Sequence, residues 1–187
     1  MIFKELHKNV FHVNNVFPTE MFLRVGDEFN PINNHWIFDK ESSYDDGNSS
    51  IRGKIVKSSS FMGDNLVLIN IGMYVKLKAE KHLRQKLKLI KVNTNIQYSG
   101  MHSIFHKDGP LDNPSDSLWT FVIFCQSNWN TIWGGEFCCN VGDEYVYVPY
   151  IPNNGCLFDC RNDHTGFAPN NLTSKPRLSL AYTFLET

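Results

Sequence analysis

The sequence predicts a mainly β domain whose helices are confined to the N-terminal half. After Asn93, short β-rich runs alternate with turn signals at intervals suited to a sandwich or barrel. Before Asn93, the clearest pattern is one long amphipathic segment with a helical period. Apolar residues make up 42% of the chain and aromatics 13%, enough to fill a core and to exclude wholesale disorder.

Taken in order, the first forty residues read as irregular, apart from a short helix starting near Pro18, since proline suits the first helical turn. Lys40 to Ser50 is a polar, glycine-containing loop. Ile71 to Val92 reads as a helix: Val75, Ala79, Leu83, Leu87 and Ile90 recur at steps of three and four and form one apolar face. Its other face carries Lys76, Lys78, Lys81, Arg84, Lys86, Lys88 and Lys91. Without interleaved aromatics that face is expected to be solvated rather than a nucleic-acid surface. The β runs are Gln97–His106, Leu118–Cys125, Gly135–Asn140, Glu144–Tyr150, Cys156–Asp159 and Arg177–Phe184. The turns between them include Asp108-Gly109-Pro110, Gly134-Gly135 and Pro152-Asn153-Asn154-Gly155. The polar stretch Asp108 to Ser117 is long for a hairpin and is a candidate lid.

With 187 residues, the chain is expected to form a single domain, 1–92 supplying helical support and an N-terminal layer and 93–187 the β core. Eighteen basic residues against nineteen acidic give a net charge of −1, so a broadly basic nucleic-acid binder is excluded. The longest apolar run, Leu118 to Cys125, falls far short of the ~20 residues of a membrane helix. Met1-Ile2-Phe3-Lys4-Glu5 has no apolar signal core. The five cysteines, Cys125, Cys138, Cys139, Cys156 and Cys160, form no CxxC pair and are expected as free, buried thiols. Together these features set the expectation of a cytoplasmic, reducing location. The sequons at Asn48 and Asn171 then carry no meaning.

The residues that point to chemistry are His106, Asp108 and His164. Side chains at i and i+2 of a strand share a face, so His106 and Asp108 can aim at one point, with His164 arriving from another strand. Two imidazoles and a carboxylate on one side of a metal leave the opposite positions free, which suits ferrous iron in an oxygenase and equally a catalytic zinc. The bland alternative is a strand-end histidine beside an aspartate in a turn. Strict alternation in Arg177-Leu178-Ser179-Leu180 puts Arg177 and Ser179 on one face and the two leucines on the other. If the leucines face a core, Arg177 turns into the barrel, where a buried guanidinium needs an anion such as a carboxylate held in its fork. If they do not, Arg177 and Ser179 are solvated.

From Tyr98 onward the chain resembles the Fe(II)/2-oxoglutarate-dependent dioxygenases, in particular their prolyl-4-hydroxylase-like group. The resemblance lies in Tyr98-Ser99-Gly100, Phe105-His106-Lys107-Asp108, Trp133-Gly134-Gly135-Glu136-Phe137, Asn154-Gly155-Cys156-Leu157-Phe158, Asp163-His164-Thr165-Gly166 and Pro176-Arg177-Leu178-Ser179. It spans about 90 residues, with His164 following Asp108 by 56 and Arg177 following His164 by 13. The resemblance implies a double-stranded β-helix (jelly-roll or cupin-like barrel). It implies His106, Asp108 and His164 as ligands of Fe(2+), Arg177 and Ser179 as partners of the distal carboxylate of 2-oxoglutarate, and Tyr98 as a further cosubstrate contact. Tyr98 reads equally well as a core aromatic. The prolyl hydroxylases proper tend to carry lysine where Arg177 stands.

The activity implied is hydroxylation of an aliphatic C–H with O2 as oxidant, on a protein or peptide, with a free amino acid or nucleobase as the alternative. A zinc hydrolase on a similar barrel and a non-catalytic β-sandwich binding module are the readings from other classes. The Gly134-Gly135-Glu136 turn is expected to be structural, and Trp119, Trp129 and Trp133 to pack rather than line a groove.

Overall fold

A computed structural model describes residues 1–32, 36–42, 56–61, 65–101, 103–108 and 117–187. A six-stranded antiparallel sheet is the backbone of the molecule, in the order β1 (Ile2–His7), β2 (Val10–Asn14), β9 (Gly155–Asp159), β6 (Leu118–Phe124), β11 (Arg177–Glu186) and β5 (Leu87–Gln97). A three-stranded sheet, β10 (His164–Gly166), β7 (Phe137–Val141) and β8 (Glu144–Val148), faces it. The segment before Asp108 extends the smaller sheet through one antiparallel bridge, His106 to His164. A separate hairpin joins β3 (Trp36–Ser42) to β4 (Val56–Phe61). Helices α1 (Thr19–Glu28) and α2 (Asn65–Leu83) complete the described elements. This is the expected mainly β architecture with N-terminal helices.

The period-2 pattern of the large sheet decides what it covers. From β6, Trp119, Phe121 and Ile123 enter one core with Phe22 and Val25 of α1 and Leu68, Ile71, Val75 and Ala79 of α2. Leu118, Val122 and Phe124 of β6 enter a second core, between the sheets, with Phe137, Val148, Cys156 and Phe158. Buried on both faces, β6 reads as an unbroken apolar run, as strands covered on two sides do. Strand β11 splits more sharply. Leu178, Leu180, Tyr182 and Phe184 join the helix-side core, while Arg177, Ser179, Ala181 and Thr183 alternate onto the barrel side.

The N-terminal helix begins where expected: Pro18 is the residue before its first turn, and its carbonyl accepts the Phe22 N–H at 2.9 Å. The preceding residues are not irregular. They form the β1–β2 hairpin, and β2 pairs with β9 inside the large sheet. The expected helix over 71–92 is also corrected. It starts at Asn65 and stops at Leu83, because Arg84 turns to φ 58° and breaks the i to i−4 ladder. Glu80 then bridges helix and strand, accepting from Lys76 Nζ at 2.8 Å and from the Leu87 N–H at 2.9 Å.

Leu87 to Val92 are strand. The register against β11 skips Ile90, which has no partner between Lys91 opposite Thr183 and Leu89 opposite Phe184. That irregularity reverses the facing: Leu87 and Leu89 point to the helix-side core before it, Val92 and Ile96 after it. The resulting spacing imitates a helical period. The expected division at residue 92 therefore falls inside β5, and β1, β2 and β5 are parts of one sheet with the C-terminal strands. Two expected loops, at 40–50 and 108–117, lie outside the described residues over 43–50 and 109–116.

Candidate active site

The mouth of the barrel opens into a cavity of about 400 Å³ between the two sheets. Lys91, Asn93, Asn95 and Gln97 line it from β5, and Arg177, Ser179 and Ala181 from β11. His106, Asp108 and His164 line it from the smaller-sheet side, with Phe137 and Val122 as its apolar wall.

The structure brings the three expected ligands together: one donor atom from each of His106, Asp108 and His164 lies within 4.8 Å of the others. His106 and His164 are held by their own backbones, each accepting the other's amide, at 3.0 and 2.9 Å. Their rings stand 4.5 Å apart. His106 Nδ1 lies 3.0 Å from the Ile104 carbonyl, and His164 Nδ1 3.0 Å from the Asn162 carbonyl. A carbonyl only accepts, so each Nδ1 carries the proton and each Nε2 presents a lone pair. His164 Nε2 then lies 3.5 Å from Asp108 Oδ2, and His106 Nε2 4.0 Å from Asp108 Oδ1. Lone pairs facing carboxylate oxygens repel unless a proton or a cation sits between them. This donor set therefore fits a divalent metal.

Burial alone would raise the Asp108 carboxyl. A proton on His164 Nε2, through its hydrogen bond and charge, brings the carboxyl down to about 2, with Lys91 and His106 adding to the effect. A bound cation would take the place of that proton. Thr120 Oγ1 donates to Asp108 Oδ2 at 3.2 Å, and the Cys160 thiol donates to the Asp108 carbonyl at 3.1 Å. Burial, followed by the neighbouring His164, lowers His106 and favours the neutral, metal-binding imidazole. His164 is enclosed by Phe137 and Phe158, whereas the His106 side chain is 37% exposed and forms the rim.

Arg177 is 3% exposed and turns into the barrel, as the alternation of β11 requires. Its Nε donates to the Gly135 carbonyl at 2.8 Å, and its Nη1 donates to Gln97 Oε1 at 2.9 Å and Ser179 Oγ at 3.0 Å. The guanidinium lies beside a stacked pair of rings, 5.7 Å from the Phe124 centroid and 5.4 Å from that of Tyr150. Tyr150 is fixed in turn, donating to the Leu178 carbonyl and accepting from the Gln126 N–H at 3.0 Å. All these partners are neutral. Burial lowers the Arg177 pKa, and no carboxylate forms a salt bridge with it among the described residues. A buried cation with neutral partners, opening on a cavity, fits an anionic ligand that brings the missing charge.

The Gly134-Gly135 turn is structural, as expected, with φ of 75° and 82°. It also supplies the carbonyl that holds Arg177. Trp119 is a core residue, and Trp129 packs on Tyr150 with its indole N–H on the Gly134 carbonyl at 3.1 Å. Neither these two nor Trp133 lines the cavity. Tyr98 packs against the helix-side core and does not line the cavity either. The polar groups facing the cavity from β5 are Lys91, Asn93, Asn95 and Gln97, which the sequence reading did not select. Their signal was present as alternation at odd positions, hidden by the irregularity at Ile90.

No family model and no curated protein sequence matches the chain. Solved structures do match in shape. A prolyl hydroxylase from Trichoplax adhaerens, in complex with a hypoxia inducible factor peptide fragment, superposes with a TM-score of 0.66 at 16% identity, over 95% of this chain and 84% of that one. HygX from Streptomyces hygroscopicus, with nickel, 2-oxoglutarate and hygromycin B bound, gives 0.63 at 12% identity, over 94% and 82%. A Pseudomonas putida prolyl-4-hydroxylase gives 0.57 at 14% identity, over 95% and 84%. The fold of this chain is the double-stranded β-helix of the Fe(II)/2-oxoglutarate oxygenases, with a His-Asp-His cluster and a buried arginine opening on one cavity inside it.

Proposed function

We propose that this protein is an Fe(II)- and 2-oxoglutarate-dependent dioxygenase that hydroxylates an aliphatic C–H of a protein or peptide. The observation that carries the reading is the convergence, in one cavity, of three metal-competent lone-pair donors with a buried arginine that has no acidic salt-bridge partner among the described residues. His106, Asp108 and His164 would hold the metal from one side and leave the facing positions to cosubstrate and oxidant. Arg177, with Ser179 beside it and Gln97 bracing it, would take the distal carboxylate of 2-oxoglutarate.

When bound, the iron and cosubstrate supply dioxygen activation, with 2-oxoglutarate leaving as succinate and carbon dioxide while the substrate gains one oxygen. The chain contributes position and exclusion of water. Thr120 orients Asp108, the Ile104 and Asn162 carbonyls fix the imidazole tautomers, and Phe137 and Val122 wall off the reacting region. The protein or peptide substrate is favoured by likeness to the peptide-bound Trichoplax enzyme. A small-molecule substrate is the alternative, favoured by likeness to HygX.

The test is 2-oxoglutarate turnover with iron under air and under nitrogen, followed by mass spectrometry of peptides, amino acids and nucleobases for a gain of one oxygen. Succinate forming only with both iron and oxygen supports the reading. Turnover with zinc under nitrogen, or purified protein that takes up no metal, refutes it.

A further inference from the structure

The cavity face of β5 carries Lys91, Asn93, Asn95 and Gln97, one polar group every second residue. Its partner β11 sets them level with Thr183, Ala181, Ser179 and Arg177 respectively. At the Arg177 end the groups are engaged with each other: Gln97 holds Arg177 and also donates to the carbonyls of Met101 and Gly166. At the other end they are not. Among the described residues Asn93 and Asn95 make no side-chain hydrogen bond, although both are partly buried in the cavity wall. Among the described residues the one ion pair of Lys91 is with Asp108, with Nζ to Oδ1 at 3.9 Å, too long for a hydrogen bond.

Lys91 is six residues from Gln97, or about 20 Å along the strand at ~3.3 Å per residue. Lys91 thus comes to the metal ligands from the opposite end of β5 to Gln97 and Arg177, with its Nζ 3.9 Å from Asp108 Oδ1. It flanks the cavity on the side away from the Arg177 anchor.

Charge leads to the same place. A divalent metal and Arg177 bring three positive charges. Asp108 and the two carboxylates of 2-oxoglutarate bring three negative ones, so the loaded centre is neutral without Lys91. Asp108 is the sole acid among the described lining residues, and metal binding would engage it. Lys91, like the exposed Lys107, then keeps its charge at the mouth. Beside it, Asn93 makes no side-chain hydrogen bond among the described residues and faces the small Ala181, which leaves room there.

We propose that Lys91 is a specificity-determining residue that binds a carboxylate of the primary substrate, with Asn93 donating a second hydrogen bond, so that the hydroxylated carbon lies close to an acidic group. This rests on the oxygenase reading and narrows its substrate class to acids: an acidic residue within a peptide, or a small carboxylic acid. An electron-rich anion held by a charged donor gains strength over a neutral isostere where water is partly excluded.

The test uses matched pairs that differ only in carboxylate against carboxamide. One arm holds peptides with aspartate or glutamate against asparagine or glutamine beside a proline or aliphatic residue. The other holds free amino acids and aliphatic acids against their amides. Substrate-stimulated succinate formation and oxygen gain are read for wild type, Lys91→Met and Lys91→Arg, each checked for folding by its thermal transition. The expected result is a carboxylate preference of about tenfold or more in wild type, lost in Lys91→Met and retained in Lys91→Arg. The responding arm identifies peptide or small acid. Equal response to both members of each pair, no response to any carboxylate, or a preference that survives Lys91→Met overturns the proposal. Absence of iron- and oxygen-dependent 2-oxoglutarate turnover in wild type overturns the oxygenase reading instead.

Discussion

His106 and His164 are backbone partners before they are side-chain partners: each amide donates to the other's carbonyl across a single antiparallel bridge, at 3.0 and 2.9 Å. The pairing brings two Nε2 lone pairs to one side of Asp108 through backbone hydrogen bonds. The cluster is thus built by the fold, and removing one ring leaves the other two donors in place. His106→Ala and His164→Ala are each expected to abolish stoichiometric iron binding and 2-oxoglutarate turnover. Their cost to the metal-free fold should differ. His164 packs against Phe137 and Phe158, so its truncation opens a cavity and costs about 1–3 kcal/mol, whereas the rim residue His106 costs less than about 1 kcal/mol. Elemental analysis and urea unfolding of the metal-free variants check both halves.

Gly166 touches the same machinery from the other end of β10. A Cβ built on it would sit 2.9 Å from Arg177 Cζ and Nη2 and 3.0 Å from Nη1. The obstacle is the far end of a long side chain rather than backbone, so Gly166→Ala is expected to fold and to push the guanidinium aside. The half-saturating concentration of 2-oxoglutarate should rise about tenfold, a loss of about 1.4 kcal/mol, with a smaller fall in kcat. An unchanged requirement for 2-oxoglutarate would show that Arg177 does not hold the cosubstrate.

Much of this site was legible because β11 is regular. Four strictly alternating residues, Arg177 to Leu180, put the arginine and the leucines on opposite faces and left open which face was inner; the leucines face the helix-side core, Arg177 turns inward, and β11 keeps that alternation through Phe184. The His106–Asp108 pair was legible by the same period of two. Where the reading failed, a local irregularity had corrupted the period. At Ile90 the strand skips a register position, so Leu87, Leu89 and Val92 fall at intervals that suit a helix as well as a strand. β1 failed for a different reason. It is an outer strand with half of its residues exposed and none fully buried, so its apolar pattern is weak, and what holds it is pairing with β2, a tertiary fact. Tyr98, singled out by the resemblance and equally readable as a core aromatic, lies one residue past the end of β5 and packs against the helix-side core.

All five cysteines are buried and unpaired, and burial pushes Cys125, Cys139 and Cys160 up to about 12. The native protein should therefore resist iodoacetamide at pH 8, and five thiols should react once it is unfolded. The same shifts set the sign of an alkaline effect. Folded thiols keep protons that unfolded ones, with an ordinary pKa of about 8.5, release. The unfolded state then binds fewer protons, so stability is full below that value and falls as pH rises from about 8.5 towards 12. Thermal melts between pH 7.5 and 10.5 should show Tm falling, and Cys125→Ala should show a shallower fall. A Tm that rises over that interval would contradict the assigned burial.

Arg177 offers the sharpest separation of stability from function. Its guanidinium lies beside the stacked Phe124 and Tyr150 rings, and its hydrogen-bond partners are the neutral Gln97, Ser179 and Gly135. Charge burial without a counter-ion costs several kcal/mol, and hydrogen bonds to neutral groups recover only part of it. Replacing Arg177 with methionine keeps much of the volume and removes the charge. The ligand-free variant is accordingly expected to be as stable as wild type or more so, with Tm higher by up to about 2–4 °C for a gain near 1 kcal/mol in a chain of this size. Turnover should fall by at least about a hundredfold at ordinary 2-oxoglutarate concentrations, since the distal carboxylate loses its charged partner, worth about 3 kcal/mol. Added 2-oxoglutarate should raise the Tm of wild type and leave that of Arg177→Met unmoved. An arginine serving only the fold would give the reverse, a destabilised variant whose 2-oxoglutarate dependence is intact.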